Sequence, residues 1–289
     1  MASIRELKGR IGSVSSSEKI TGAMKMISSA KLHKAMQALQ RVVPFRQQIQ
    51  STIAHLLAAD SEYISPLAQE RPLQHVGIVL LGSDEGLCGA FNVTLFKHAL
   101  DRIATLQEQG VTAITLYPIG KKVTAAAKKL HIEGVTVTTI PYMNSKSQRE
   151  EIEKMAGELT EAFLKGETDR VEVVFMHFIS TGRQRVTHRT MLPVVAESTS
   201  GKKECKPYIF EPDVATIFDT VLPLAVIASL QESIGENRAS EQAARVLAMQ
   251  SANDNAKKLH DELQLEYNKL RQQSITNELL DILGGKVDG

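Results

Sequence analysis

Between Ser229 and Gly285 the chain has no proline and one interior glycine, Gly235, before the closing Gly284 and Gly285. The stretch is dense in Ala, Leu, Glu, Gln, Lys and Arg, which lose least on entering a helix, so a single uninterrupted helix is its lowest-energy local conformation. Extended back to about Val214, that helix would run on the order of 100 Å at about 1.5 Å per residue, several times the diameter of a small domain. Most of it must therefore lie against another helix or another protein. Ala239, Ala243, Val246 and Ala252 offer a side of mostly small groups where a partner helix can approach closely. Leu259, Leu263, Tyr267 and Leu270 follow at spacings of four, four and three as a seam of larger residues.

The companion is at the other end of the chain. Ile4, Leu7, Ile11 and Val14 recur at three, four and three; the apolar face then rotates to Ile20, Ala23, Met24 and Ile27. That rotation signals a change of winding or partner. Leu32, Ala35, Leu39 and Val42 resume the rhythm as far as Pro44, which should kink or interrupt the helix, and Ile49, Ile53 and Leu57 carry it to about residue 59. Residues 1–59 hold nine Lys and Arg against Glu6 and Glu18, a net +7, whereas residues 213–289 hold twelve acidic and seven basic side chains, a net −5. Two long segments of opposite charge fit an antiparallel pair. With no Trp, eight Phe and five Tyr, packing falls to aliphatic side chains, which suits helix seams.

Residues 73–195 have a different pattern. VGIVLL (76–81), VTAITLY (111–117), VTVTT (135–139) and VEVVFMHFI (171–179) read as strands, separated by helical stretches at about 91–108, 120–130 and 147–165. Alternation of this kind predicts a parallel sheet. A turn at STGRQ leads to a last strand, 186–195, antiparallel to its predecessor, with Pro193 near its end. Residues 196–212 carry two prolines and a polar run and read as an exposed loop; Asp213 is placed to cap the final helix, which must absorb Pro223. The fold class expected is α/β: an antiparallel coiled coil of long N- and C-terminal helices, with an inserted small Rossmann-like domain of about five mostly parallel strands. The divisions are 1–59, 73–195, 196–212 and 213–285.

Little in the chain points to chemistry. GSDEGLCGAFN (82–92) lies after the first strand, where a dinucleotide fold holds phosphate, but Gly82, Gly86 and Gly89 match neither GxGxxG nor GxxxxGK[ST], and Asp84 and Glu85 would face the phosphates. A tight turn with Cys88 packed beneath it is the simpler reading. Histidine spacing gives no metal motif, His260 and Asp261 being on adjacent helix faces, and no Ser, His and Asp cluster can be nominated. Arg183, Arg185 and Arg189 read as a solvated loop face. Cys88 and Cys205 suit reduced thiols rather than a disulfide framework. No run of about 18 apolar residues and no signal peptide are expected, so neither membrane insertion nor export is. Two other readings remain open on residues alone: a coiled-coil adaptor whose α/β insert binds a nucleotide, and a nucleic-acid binder using the basic first helix.

Three segments carry a family resemblance. SIRELKGRIGSVSSSEKITGAMKMISSAKLHKA, SDEGLCGAFN and ASEQAARVLAMQSANDNAKKLHDELQLEYNKLRQQSITNELLDILGG resemble the first helix, the central signature and the closing helix of the gamma subunits of bacterial F-type ATP synthases. The resemblance spans nearly the whole chain and is weakest between about 100 and 200. It implies a noncatalytic rotor shaft with no catalytic, cofactor or metal site. The implied partners are a hexamer of alpha and beta subunits around the shaft, an epsilon subunit and a membrane ring of c subunits, with no nucleic acid and no direct membrane insertion. It also implies a peripheral position on the cytoplasmic face of the bacterial inner membrane, held by other subunits. Residue by residue, it assigns hexamer contacts to Met24 and Lys25, to Arg245, and to Arg271, Gln272 and Thr276, and ring contacts to Tyr208 and Glu211. Gly22 departs from the family, where a larger helix former is frequent. The cysteine pair of the chloroplast form is absent, so thiol regulation is not expected, and nothing before Ala2 resembles a transit peptide, which favours a bacterial form.

Overall fold

The structure is a computed structural model that describes residues 3–58, 65–195, 211 and 213–284. Helix α1 runs Ile4–Ala58 and α5 Val214–Gly284, each unbroken through its internal proline, Pro44 or Pro223. The expected interruption at Pro44 does not occur; proline removes one N–H donor, and a helix of this length retains its other bonds. Between them lie β1 (His75–Leu81), α2 (Phe91–Glu108), β2 (Ala113–Ile119), α3 (Lys121–Ala127), β3 (Val135–Val137), α4 (Arg149–Leu164), β4 (Arg170–Ser180) and β5 (Arg183–Leu192). Thus a mixed α/β unit is inserted between two long helices that pair with each other.

By internal contacts the chain divides into residues 30–244 and a second unit made of 1–29 with 245–289. Within the larger unit the strand order is β3-β2-β1-β4-β5; β1 to β4 are parallel, and β5 is antiparallel to β4. One face of the sheet buries Val76, Ile78, Leu80 and Val174 with Phe91, Leu95, Ile103 and Leu106 of α2 and Val123 of α3. The other buries Val79, Val171, Val173 and Phe175 with Met155, Leu159 and Phe163 of α4, Ile49, Ile53 and Leu56 of α1, and Phe218, Leu222 and Val226 of α5. Strands buried on both faces read as continuous apolar runs, which is why VGIVLL and VEVVFM show no alternation.

Strand β2 starts two residues later than its sequence suggests. Gly110, at φ 88°, ends α2, and the Val111 amide still bonds back to the Leu106 carbonyl, so pairing begins only at Ala113. Strand β5 begins earlier and ends sooner than expected, stopping before the cis Leu192–Pro193 peptide. Antiparallel packing of the long helices is visible here too: Arg46 meets Glu232, while a Cβ on Gly235 would lie 3.3 Å from Leu39. Leu32, Ala239 and Ala243 form a small buried cluster with Ala35, Met36 and Phe178, so the small groups of α5 do admit close approach.

The expectation about apolar runs needs correcting. Over residues 214–231 helix α5 is long and apolar enough, by composition, to cross a membrane. Phe218, Leu222, Ala225, Val226, Ala228 and Leu230 from that stretch are buried in the core beside the sheet, which accounts for its hydropathy. Asp213 caps the helix start, accepting the Thr216 amide and hydroxyl at 2.8 Å each.

In the smaller unit, Ser13, Ser16, Ser17 and Thr21 each donate to a carbonyl one turn back, which satisfies their hydroxyls within the helix without helping to hold it helical. Leu7, Met249 and Leu263 are buried. Asn253 donates its amide to the Glu18 carbonyl at 2.8 Å, and a Cβ on Gly22 would sit 3.4 Å from that amide nitrogen. That is ordinary van der Waals contact, so the approach of Asn253 leaves room for a Cβ and gives no structural reason for the departure noted at this position.

Candidate functional site

The loop 82–92 follows β1, where a sheet of this kind could present a phosphate cradle. Asp84 occupies that role itself. Its carboxylate accepts the Lys121 amide at the start of α3 (3.0 Å), the Ser145 amide (3.1 Å) and the Ser145 hydroxyl (2.6 Å). Burial alone would raise its pKa, but the Ser145 and Lys121 donors outweigh that and hold it below the ordinary carboxylate value. Ser83 and Asn92 close the turn on each other, with Asn92 Nδ2 2.7 Å from Ser83 Oγ. Cys88 is buried beneath them as a free thiol. Leu87 takes a positive φ of 61° and is exposed. The loop is built to tie α3 and the 141–148 segment to the end of β1.

Helix α5 is fastened beside the same loop by polar side chains that the periodicity of the sequence did not reveal. Strand β1 stops pairing with β4 at Val174, so β4 continues to Ser180 with one edge uncovered. The Met176 amide there donates to Asn237 Oδ1 at 3.1 Å, and the Met176 carbonyl accepts the Ser240 hydroxyl at 2.9 Å. Asn237 Nδ2 also donates to the Gly82 carbonyl at 3.4 Å. One helix thus supplies what the absent strand would have supplied. Glu236 bonds His177, and Glu232 pairs with Arg46 at 2.5 Å and Arg189 at 2.6 Å. Arg238 donates to the Ser145 and Ser147 carbonyls at 2.5 Å each, and burial lowers its pKa.

Arg189 is therefore not part of a solvated face: it is paired with Glu232 and stacked 5.2 Å from the Phe175 ring centre. Arg183 and Arg185 are exposed as read. The available signal for the buried cluster was negative: SLQESIGENRASEQAAR lacks a large apolar residue at each turn, yet it cannot be solvated all round if its alanines pack.

The residues nominated as contacts with other subunits fall in three settings. Met24 and Lys25 are half-buried on α1, and Arg271, Gln272 and Thr276 are exposed on α5. Thr276 bonds the Gln272 carbonyl at 2.9 Å. Arg245 is buried within the chain, only 4% exposed. Arg245 and Arg271 belong to one helix and are separated along it by roughly 39 Å. Glu211 is exposed at a bend, and Tyr208 lies outside the described residues. Among the described residues no group of three or more His, Cys, Asp or Glu could hold a metal.

Comparison with known proteins decides what such a chain is. The ATP synthase family profile matches residues 3–287. ATP synthase gamma chains of Bacteroides thetaiotaomicron and Bacteroides fragilis are each 40% identical, covering 99% of this chain and all of theirs; that of Parabacteroides distasonis is 38% identical over 99% of this chain and 98% of its own. The chain belongs to the gamma-chain family of ATP synthases. Solved structures share the fold at low identity. A chain from the Euglena gracilis mitochondrial ATP synthase (OSCP/F1/c-ring, rotational state 3) has a TM-score of 0.63 at 21% identity, covering 98% of this chain and 93% of its own. One from the Tetrahymena thermophila central stalk and c-ring has 0.58 at 19%, covering 81% and 99%. This gamma chain is a subunit of a membrane-associated ATP synthase complex and serves as its rotor shaft.

Proposed function

We propose that this gamma chain is a noncatalytic axle: it carries rotation of a membrane ring of c subunits, driven by ion flow, to catalytic sites on beta subunits. Its smaller unit runs inside a hexamer of alternating alpha and beta subunits. Residues 73–195, together with 196–212, which lie outside the described residues apart from Glu211, form the base that meets the epsilon subunit and the ring, while 1–59 and 213–285 supply the shaft helices. Because the shaft presents a different face at each angle, its interaction free energy with each beta subunit changes as it turns and biases three nucleotide-site equilibria in sequence. Met24, Lys25, Arg271, Gln272 and Thr276 are the contacts with the hexamer, and Tyr208 and Glu211 those with the ring. Arg245, buried in the chain, contributes through a surface its neighbours complete. The complex holds the subunit at the cytoplasmic face of the bacterial inner membrane.

The observation that carries this reading is where the exposed apolar side chains lie. Of the sixteen large exposed hydrophobics among the described residues, nine belong to the unit 1–29 with 245–289, about a quarter of the chain: Ile20, Met26, Ile27, Leu247, Leu259, Leu265, Ile275, Leu279 and Leu280. Apolar surface so concentrated on two paired helices is surface that other proteins enclose. Purification of the complex through a tag on this chain should recover alpha, beta, epsilon and c subunits; recovery of the chain alone would refute the proposal. Deleting residues after Leu270 should weaken coupling of nucleotide hydrolysis to ion movement and leave Cys88 as protected from thiol reagents as in the full chain. Exposure of Cys88 in that deletion would show that the α/β unit depends on the shaft end.

A further inference from the structure

An axle that takes up torque at its base needs more than apolar packing where the driven helix meets the globular unit. Burial of Phe218, Leu222 and Val226 already opposes large rotation of the helix, because turning it would expose them, but hydrophobic contact is non-directional and tolerates small angular slip. Directional bonds set off the axis narrow that tolerance to one register. Helix α5 has such bonds in one short segment. Glu232, Glu236, Asn237 and Ser240 recur at four, one and three, the spacing of a single helix face, and all four are buried. Their partners are spread over separate elements: Arg189 on β5, Arg46 on α1, His177 and both main-chain groups of Met176 on β4, and the Gly82 carbonyl at the end of β1.

Asn237 is the centre of the set because its one amide group spans two strands. Oδ1 takes the Met176 N–H at the edge of β4, and Nδ2 reaches the Gly82 carbonyl where β1 ends. Rotation of α5 by even part of a helical turn would break both, leaving a buried N–H and a buried carbonyl without partners. Such a state is strongly disfavoured in a dry site. We propose that Asn237, supported by Ser240, is the torque-coupling residue of this gamma chain: it locks the rotational register of α5 on the sheet, so that rotation of the base is delivered to the helix rather than lost as slip. Asn237 acts through α5 and is a positioning residue; it touches no reacting group.

The inference rests on the rotor reading and is tested in the assembled complex. Membrane vesicles bearing the whole enzyme with Asn237→Ala or Asn237→Asp are assayed at once for ATP hydrolysis and for the membrane potential that hydrolysis generates, so the coupling ion need not be known. Asn237→Asp keeps the acceptor for Met176 and loses the donor to Gly82. The expected result is a fall of about threefold in potential-generating transport per ATP for Asn237→Ala, within the range that positioning residues change coupling. Asn237→Asp should be intermediate, with subunit content unchanged in both. Full coupling in an assembled Asn237→Ala enzyme overturns the inference. So does failure of Asn237→Ala to assemble combined with full coupling in Asn237→Asp, since the residue would then serve stability alone. Vesicles lacking this chain supply the separate control: if they remain coupled, the rotor reading itself falls.

Discussion

Glu172 lies near the start of β4, fully buried, with both carboxylate oxygens held by Arg102 of α2 at 2.7 and 2.6 Å. Removing Arg102 tests how strongly that pair holds α2 to the sheet. In Arg102→Met the carboxylate stays buried, and its remaining cation is Arg170, 3.8 Å away and too far for a hydrogen bond as placed. Breaking one side of a buried pair costs about 3–5 kcal/mol. Arg170 Nε is itself buried without a partner and can turn part of its capacity to Glu172, which puts the expected loss near the lower end, about 3 kcal/mol. An exposed pair gives the contrast: Arg149 and Glu153 are one turn apart on α4, and Arg149→Ala should cost no more than about 0.5 kcal/mol. The chain has no tryptophan, and its long helices would dominate circular dichroism, so the readout must belong to the core concerned. Cys88 is buried in the same cluster as α2; in a Cys205→Ser background, the urea dependence of its thiol labelling reports opening of that core alone. With a slope of about 1–3 kcal/mol per M, the midpoint should fall by roughly 1–3 M. The double variant Arg102→Met with Glu172→Leu should be less destabilised than Arg102→Met, because no charge is left unpaired. A single variant within about 1 kcal/mol of wild type, or a double variant worse than the single, would refute the reasoning.

Two further substitutions probe the loop that closes the sheet. Asp84→Ala should cost about 1–3 kcal/mol by the same labelling at neutral pH, since the Lys121 and Ser145 amides lose their acceptor. Its folded pKa lies below the ordinary 3.8, so Asp84 contributes fully above that value and progressively less as pH falls through the depressed one; the gap between wild type and variant should narrow only in that acid range. Gly120→Ala places a Cβ 2.8 Å from the Gly82 carbonyl carbon at a φ of 104°, and should lower stability by about 1–3 kcal/mol; a variant as stable as wild type would show that β2 can shift at its end.

How much of this was legible depended on whether the residues followed a period. The strands were, because VGIVLL is apolar on both faces and VEVVFM is so apart from Glu172, and the antiparallel last strand followed from the turn at STGRQ. Strand ends were not, since Gly110 and the cis peptide before Pro193 act through local geometry that composition does not show. Helix α1 passing through Pro44 shows how a local rule yields to packing: Ile49, Ile53 and Leu56 beyond it are buried, and that burial outweighs the roughly 3 kcal/mol that an interior proline costs a helix through its lost hydrogen bond and ring clash. Of the candidate site, the glycines of loop 82–92 indicate a tight turn over Cys88, and Asp84 marks it as wrong for phosphate. That its carboxylate stands in the anion's place, on Lys121 and Ser145, needed coordinates, because Ser145 is 61 residues away.

Helix α5 defeated periodicity for a more general reason. An amphipathic helix is recognised because apolar side chains go in and polar ones out. From Ser229 to Arg245 the inward positions include Ser229, Glu232, Ser233, Glu236, Asn237, Ser240, Glu241 and Arg245, while farther along Leu265, Ile275, Leu279 and Leu280 point out. Each inversion has its own cause. The polar residues can be buried because a truncated strand edge, two arginines and a histidine are present to satisfy them. The apolar ones can be exposed in the lone chain because in the assembly proposed above they are enclosed. A helix that must be held by one structure and turned inside another carries two opposed patterns in series, and an average over its length cancels them. The lack of an amphipathic signal over so long a helix therefore reflects two segments of opposed pattern rather than a helix without a buried face.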